Sequence, residues 1–159
     1  MLLHTLRRFL KLNNRDRRIV LGATAGLLTT RMGLRVLGFR TWEKFLRWIT
    51  PEGERRAHGS VESDGNVDRA RRVARLQASA ERHLFFRPSC LEHSLVLRWM
   101  LARHGVAANL RFGGRKEESR FEAHAWVEVG GVALDELSGE QSNFVPFDAA
   151  NASMGTQVR

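Results

Sequence analysis

Two segments of largely alternating apolar and polar residues, Phe121–Val129 and Val132–Leu137, are separated by Gly130-Gly131 alone. A two-residue connection whose positions both tolerate positive φ closes an antiparallel hairpin and fixes its register. With Val129 opposite Val132, Trp126 faces Asp135 and His124 faces Leu137. Successive side chains point to opposite faces of a strand, so His124, Trp126 and Glu128 share one face with Ala133, Asp135 and Leu137. Glu136 takes the other face. Any fold for this chain has to contain an antiparallel sheet, and that sheet sets an imidazole diagonal to a carboxylate.

The first half of the chain has a helical period instead. Leu3, Leu6, Phe9 and Leu10 recur at helical spacing, and Asn13-Asn14 interrupts them. A second helical segment runs from Arg15 to about Leu37, and a third from Trp42 to Ile49 ends at Thr50-Pro51. Residues 50–66 read as a polar exposed loop, after which Asn66 caps a helix over Val67, Ala70, Val73, Ala74, Gln77, Ala80 and Leu84. Ser89 and Glu92 then form a capping box for a helix carrying Leu91, Leu95, Leu97, Leu101 and Ala102 and stopping at Gly105. Val106–Phe112 reads as a strand and Gly113–Ser119 as a polar loop. Helices followed by antiparallel strands make the class α+β. The expected organisation is a helical region over 1–66, with its polar loop at 50–66, and a core over 67–159, the whole forming one compact unit.

The chain carries a net charge of +9, and the excess is uneven. Residues 1–80 hold 17 basic and 7 acidic side chains, whereas residues 81–159 hold 9 and 10. An anionic partner is therefore expected on the first half. Arg71, Arg72 and Arg75, on the outer side of the fourth helix, are its candidate docking residues. No nucleic-acid motif or aromatic-interleaved basic strand is present, so nucleic acid is not the expected partner. The apolar run Ile19–Leu28 follows six basic residues but is too short to span a bilayer. It reads either as a buried helix or as an interfacial one making peripheral membrane contact. No small-residue cleavage site follows it before Arg31, so it is not read as a signal peptide, and a cytoplasmic protein is expected.

A single cysteine excludes a disulfide framework and a zinc site built on paired cysteines. That cysteine, Cys90, falls at the first turn of a helix, where exposed N–H groups and the positive end of the dipole favour a thiolate and can hold an oxyanion. Cys90, His124 and Asp135 then form a candidate catalytic triad, with the carboxylate orienting the imidazole. An exposed His–Asp pair would show the same spacing, but Ala123-His124-Ala125-Trp126-Val127 is too apolar for an idle surface strand. Trp126 is a candidate wall of the substrate site, and Glu128 is the fallback acid. His93, one turn after Cys90, reads as a packing residue, and His104 suits a helix C-terminus. The triad's residue types could also hold zinc, but nothing around them supports a metal; no metal and no cofactor is expected.

The segment SCLEHSLVLRWMLARHGVAANLRFGGRK, with FEAHAWVEVGGVALDE after it, resembles the leader peptidases of lasso-peptide biosynthesis. The likeness covers roughly residues 84–137. It implies a transglutaminase-like cysteine protease with a papain-type core, and it places that family's triad on Cys90, His124 and Asp135. It further implies that the enzyme removes the leader from a ribosomally made precursor peptide before a separate ATP-dependent cyclase closes the ring. Some members carry a fused leader-binding domain. Residues 1–80 lack the strands such a domain needs, so a separate leader-binding protein is expected. The side-chain oxyanion donor of papain-like enzymes has no clear counterpart before Cys90, where Arg82, His83 and Arg87 are the nearby polar groups. Two other functions fit the residues: a transglutaminase-type acyl transferase on the same triad, and a non-catalytic basic binding module.

Overall fold

In the computed structural model the hairpin closes as its glycines require. Gly130 and Gly131 sit at φ 56° and 76°, conformations that side-chain-bearing residues avoid. Val129 pairs with Val132 and Glu128 with Ala133, and the Leu134 N–H donates to the Val127 carbonyl at 2.9 Å. The structure describes residues 12–50, 64–117, 120–134 and 144–147. The expected segment around Leu3–Leu10, most of the polar loop, and the hairpin residues from Asp135 onward lie outside these.

Within the described residues the chain forms α1 (Asn14–Ile49), α2 (Asp64–Glu81), α3 (Cys90–Arg103), β1 (Asn109–Glu117), β2 (Arg120–Val129), β3 (Val132–Ala133) and β4 (Val145–Pro146). The strands make one antiparallel sheet in the order β3-β2-β1-β4. The mixed helix and sheet class is the one the sequence patterns predict.

Helix α1 begins where Asn13 caps it, its side-chain oxygen accepting the Asp16 N–H at 2.8 Å. It breaks at Gly38, whose φ of 73° and ψ of 170° end one helical run and start the next. The second arm, 39–49, folds against the first through Trp42. The Trp42 indole N–H donates to the Thr30 hydroxyl at 3.2 Å, and its ring lies where a Cβ on Gly33 would be. The break at Gly38 lies where the sequence pattern separates its second and third helical segments.

One core joins all the main elements: Ile19, Ala23 and Leu27 of α1, Val73 and Ala74 of α2, Val96, Leu97 and Leu101 of α3, and Val127, Val129 and Leu134 of the sheet side. Part of the apolar run Ile19–Leu28 is therefore core, while Leu21 and Leu28 face outward. Among the described residues no helix is long and apolar enough to cross a membrane. Helix α2 starts at Asp64, earlier than an Asn66 cap would allow, and ends at Glu81. Helix α3 ends in paired reverse bonds, Gly105 N–H to the Ala102 carbonyl and Val106 N–H to that of Leu101.

The stretch read as a loop from Gly113 is strand: β1 continues to Glu117, and its start moves from Val106 to Asn109. Glycine usually weakens a strand, but it also marks a close approach. A Cβ on Gly113 would lie 2.7 Å from the Trp126 ring and 2.6 Å from the Val145 carbonyl oxygen. One on Gly114 would overlap the Phe121 ring. The two glycines admit aromatic rings and strand β4; they do not make a turn.

Gly113→Ala should therefore destabilise the protein by about 1–3 kcal/mol through overpacking. Gly65→Ala, in open space at the start of α2, should be neutral or stabilising. Urea unfolding midpoints of the two variants test the contrast.

Candidate active site

Cys90 is the first residue of α3, half-buried and not in a disulfide. The turn beneath it is tied from both sides. The Glu92 carboxylate accepts the Ser89 N–H at 2.7 Å, and the Ser89 hydroxyl accepts the Glu92 N–H at 3.2 Å, completing the expected capping box. Arg31 of α1 lies 3.6 Å from the same carboxylate and places its guanidinium over the Phe86 ring at 4.4 Å. A helix start fixed this way offers its remaining N–H groups in a set direction, which an oxyanion can use.

The next turn fastens the helix to its neighbours. His93 Nδ1 lies 2.6 Å from Glu81 Oε1, and buried Gln77 donates to that carboxylate and to the His93 carbonyl. His93 thus ties α3 to α2 through polar bonds, where its sequence position suggests a packing residue. The Ser94 hydroxyl donates to the Ala125 carbonyl at 2.9 Å in a buried bond. Ser94 is one turn from Cys90, and Ala125 is next to His124. This bond joins the two elements that carry the candidate nucleophile and base.

His124 is half-buried and pairs with Gly113 across the β1–β2 ladder. Strand alternation puts its ring on the opposite sheet face from Ala125, whose carbonyl holds the helix. On that face the ring stacks with Trp126, centroids 6.2 Å apart, and with Phe144, at 4.9 Å. Trp126 is buried, and its indole N–H donates to Glu128 at 2.8 Å. Glu128, the fallback acid, also accepts from Arg111 at 3.0 Å. Its carboxylate is thus committed to two donors. Arg115 pairs with Glu122 at 2.8 Å and lies over the Phe144 ring at 4.8 Å. The imidazole is therefore in contact with two aromatic rings and bordered by ion pairs. Asp135 lies outside the described residues.

Two residues at this site have no local sequence signal: Phe144 stacks from 20 residues away, and Arg115 lies in a segment that reads as a loop. The two-residue period through Arg111, Gly113 and Arg115 is the one pattern that points to the second. His104 caps α3 as expected, its Nδ1 donating to the Met100 carbonyl at 2.8 Å. Arg71, Arg72 and Arg75 are all exposed. They differ in what holds them: Arg71 lies 3.9 Å from Asp68, whereas Arg72 bonds buried Asp16 of α1 at 2.9 Å. That hydrogen bond and the carboxylate's charge hold the Arg72 guanidinium above its ordinary pKa. Arg72 is a clasp between α2 and α1. Among the described residues no group of three His, Cys, Asp or Glu side chains could hold a metal ion.

A family model described as the transglutaminase-like superfamily matches residues 33–147, from the middle of α1 through β4. The chain belongs to that superfamily, which includes cysteine peptidases and acyl transferases. No curated protein and no solved structure matches it.

Ser94→Ala should leave the Ala125 carbonyl buried without its donor, at a cost of about 1–3 kcal/mol. Arg72→Ala should destabilise the fold more than Arg71→Ala, because only Arg72 neutralises a buried carboxylate. Thermal unfolding of the three variants measures both.

Proposed function

We propose that this protein is a cysteine peptidase that removes the leader from a ribosomally made lasso-peptide precursor. The observation that carries the reading is the Ser94–Ala125 bond. It ties helix α3, whose capped first turn carries Cys90, to strand β2, which carries His124, in a transglutaminase-like chain. The resemblance of residues 84–137 to lasso leader peptidases supplies the substrate class.

In this mechanism His124 takes the Cys90 proton and the thiolate attacks the carbonyl carbon of the leader–core bond. The carbonyl electrons move to oxygen, where N–H groups at the start of α3 receive the charge. Collapse of the tetrahedral species expels the core's amine, which takes its proton from the imidazolium, and leaves a thioester on the leader. Water, deprotonated by His124, hydrolyses the thioester and frees the leader carboxylate and the Cys90 thiol. Asp135 orients the imidazole and balances its charge. Trp126 walls the site through its stack on His124.

A separate leader-binding protein presents the precursor, raising the effective concentration of the scissile bond, and the ATP-dependent cyclase takes the product. The reaction belongs in the cytoplasm, where the precursor is made and a free thiol stays reduced. Arg71 and Arg75 are the docking residues to test; Arg72 is committed to Asp16.

Cys90→Ala and Cys90→Ser should each abolish leader removal without lowering the unfolding temperature. Cleavage by Cys90→Ala, followed by mass spectrometry on precursor plus leader-binding protein, would end the peptidase reading. Asp135→Asn should slow cleavage far more than Glu136→Gln, since only residue 135 shares a strand face with His124 in the hairpin register. Transfer of the leader to an added primary alkylamine, in preference to water and saturating with the amine's concentration, would assign the site to acyl transfer instead.

Arg71→Glu with Arg75→Glu should reduce assisted cleavage and its salt dependence while leaving alkylation of Cys90 unchanged. Unaltered assisted cleavage would remove α2 from the docking surface.

A further inference from the structure

The second arm of α1, residues 39–49, divides its surface sharply. Trp42 and Leu46 are buried against Leu95 of α3. The outer side carries Phe45 and Trp48, 39% and 80% exposed, beside the exposed cations Arg40, Lys44 and Arg47. Trp42 and Trp126 are buried and Trp99 is partly covered, so Trp48 stands apart from the other three tryptophans. A tryptophan that exposed has a hydrophobic cost in water unless another phase receives it.

The charge on this arm has one sign. Its acid, Glu43, turns inward to Arg98 at 3.4 Å, and the other acid in residues 12–50, Asp16, is buried on Arg72. The outward face therefore combines two aromatic rings with three cations and no carboxylate. It is also rigid. Trp42 is seated against Gly33 and bonded to Thr30, and the ring centroids step outward from Trp42 to Phe45 at 5.1 Å and on to Trp48 at 6.1 Å.

We infer that residues 39–49 dock this protein on an anionic lipid surface, with Phe45 and Trp48 entering the headgroup–acyl boundary and Arg40, Lys44 and Arg47 set against lipid phosphates. Aromatic rings with cations beside them match the chemistry of that boundary. A single projecting helical face is narrow for a protein partner, which typically covers about 800 Å² on each side. A lipid surface needs no matching cavity. The mode is peripheral, in keeping with the absence of a membrane-crossing helix among the described residues. The inference is independent of the catalytic reading, since it uses neither Cys90 nor His124.

The test uses the full chain with vesicles of phosphatidylcholine alone or mixed with phosphatidylglycerol, some carrying brominated acyl chains. Expected are co-sedimentation that requires phosphatidylglycerol and weakens with salt, and tryptophan quenching by the brominated lipid. Trp48→Ala should remove that quenching with an unchanged unfolding temperature. Lys44→Glu with Arg47→Glu should lower vesicle partitioning by about tenfold or more, at about 1 kcal/mol per charge near the surface. The inference is overturned by failure to bind either vesicle, or by equal binding to both. Dimerisation without lipid that shields Trp48 from iodide also overturns it, as does preferential binding of a single-stranded oligonucleotide over the anionic vesicles.

Discussion

Helix α3 has almost no side turned to water. Leu95, Val96 and Leu97 are consecutive and all buried, and Leu101 one turn on is buried too. A helix enclosed along its length is placed by its neighbours, and its two ends, which reach the surface, are fixed by partners from the protein. Glu92, Ser89 and Arg31 supply them at one end, and the paired bonds of Gly105 and Val106 at the other. Helices α1 and α2 and strands β1 and β2 pack around α3, so the position of Cys90 is set by the core as a whole.

The parts of this arrangement that were legible in the sequence are those with local causes. A capping box is decided within four residues, and a Gly-Gly hairpin within six. Both appear with the partners their residue types require. The cysteine at the helix start and the register next to His124 could be read for the same reason.

What was not legible depends on distant contacts. Gly113-Gly114 looks like a turn until the rings of Trp126, Phe121 and Phe147 are placed over it, because glycine reports missing volume without saying why. Phe144 on His124 has no signal near either residue. Arg72 resembles its neighbours on α2 and is set apart only by buried Asp16, 56 residues away. The superfamily match confirms the coarse family that the motifs suggest, while the substrate rests on resemblance and chemistry.

The two carboxylates of α1 also have a consequence for synthesis of the chain. Asp16 waits for Arg72, and Glu43 for Arg98, separations of 56 and 55 residues. At typical translation rates that interval is roughly 3–11 s. Throughout it the nascent α1 displays its apolar residues without α2 and α3 to cover them and its acids without their cations. Chaperones or the ribosome surface would meet this helix in a state the finished protein never shows. Early termination before Arg72 would leave it permanently in that state, as a basic amphipathic segment open to aggregation.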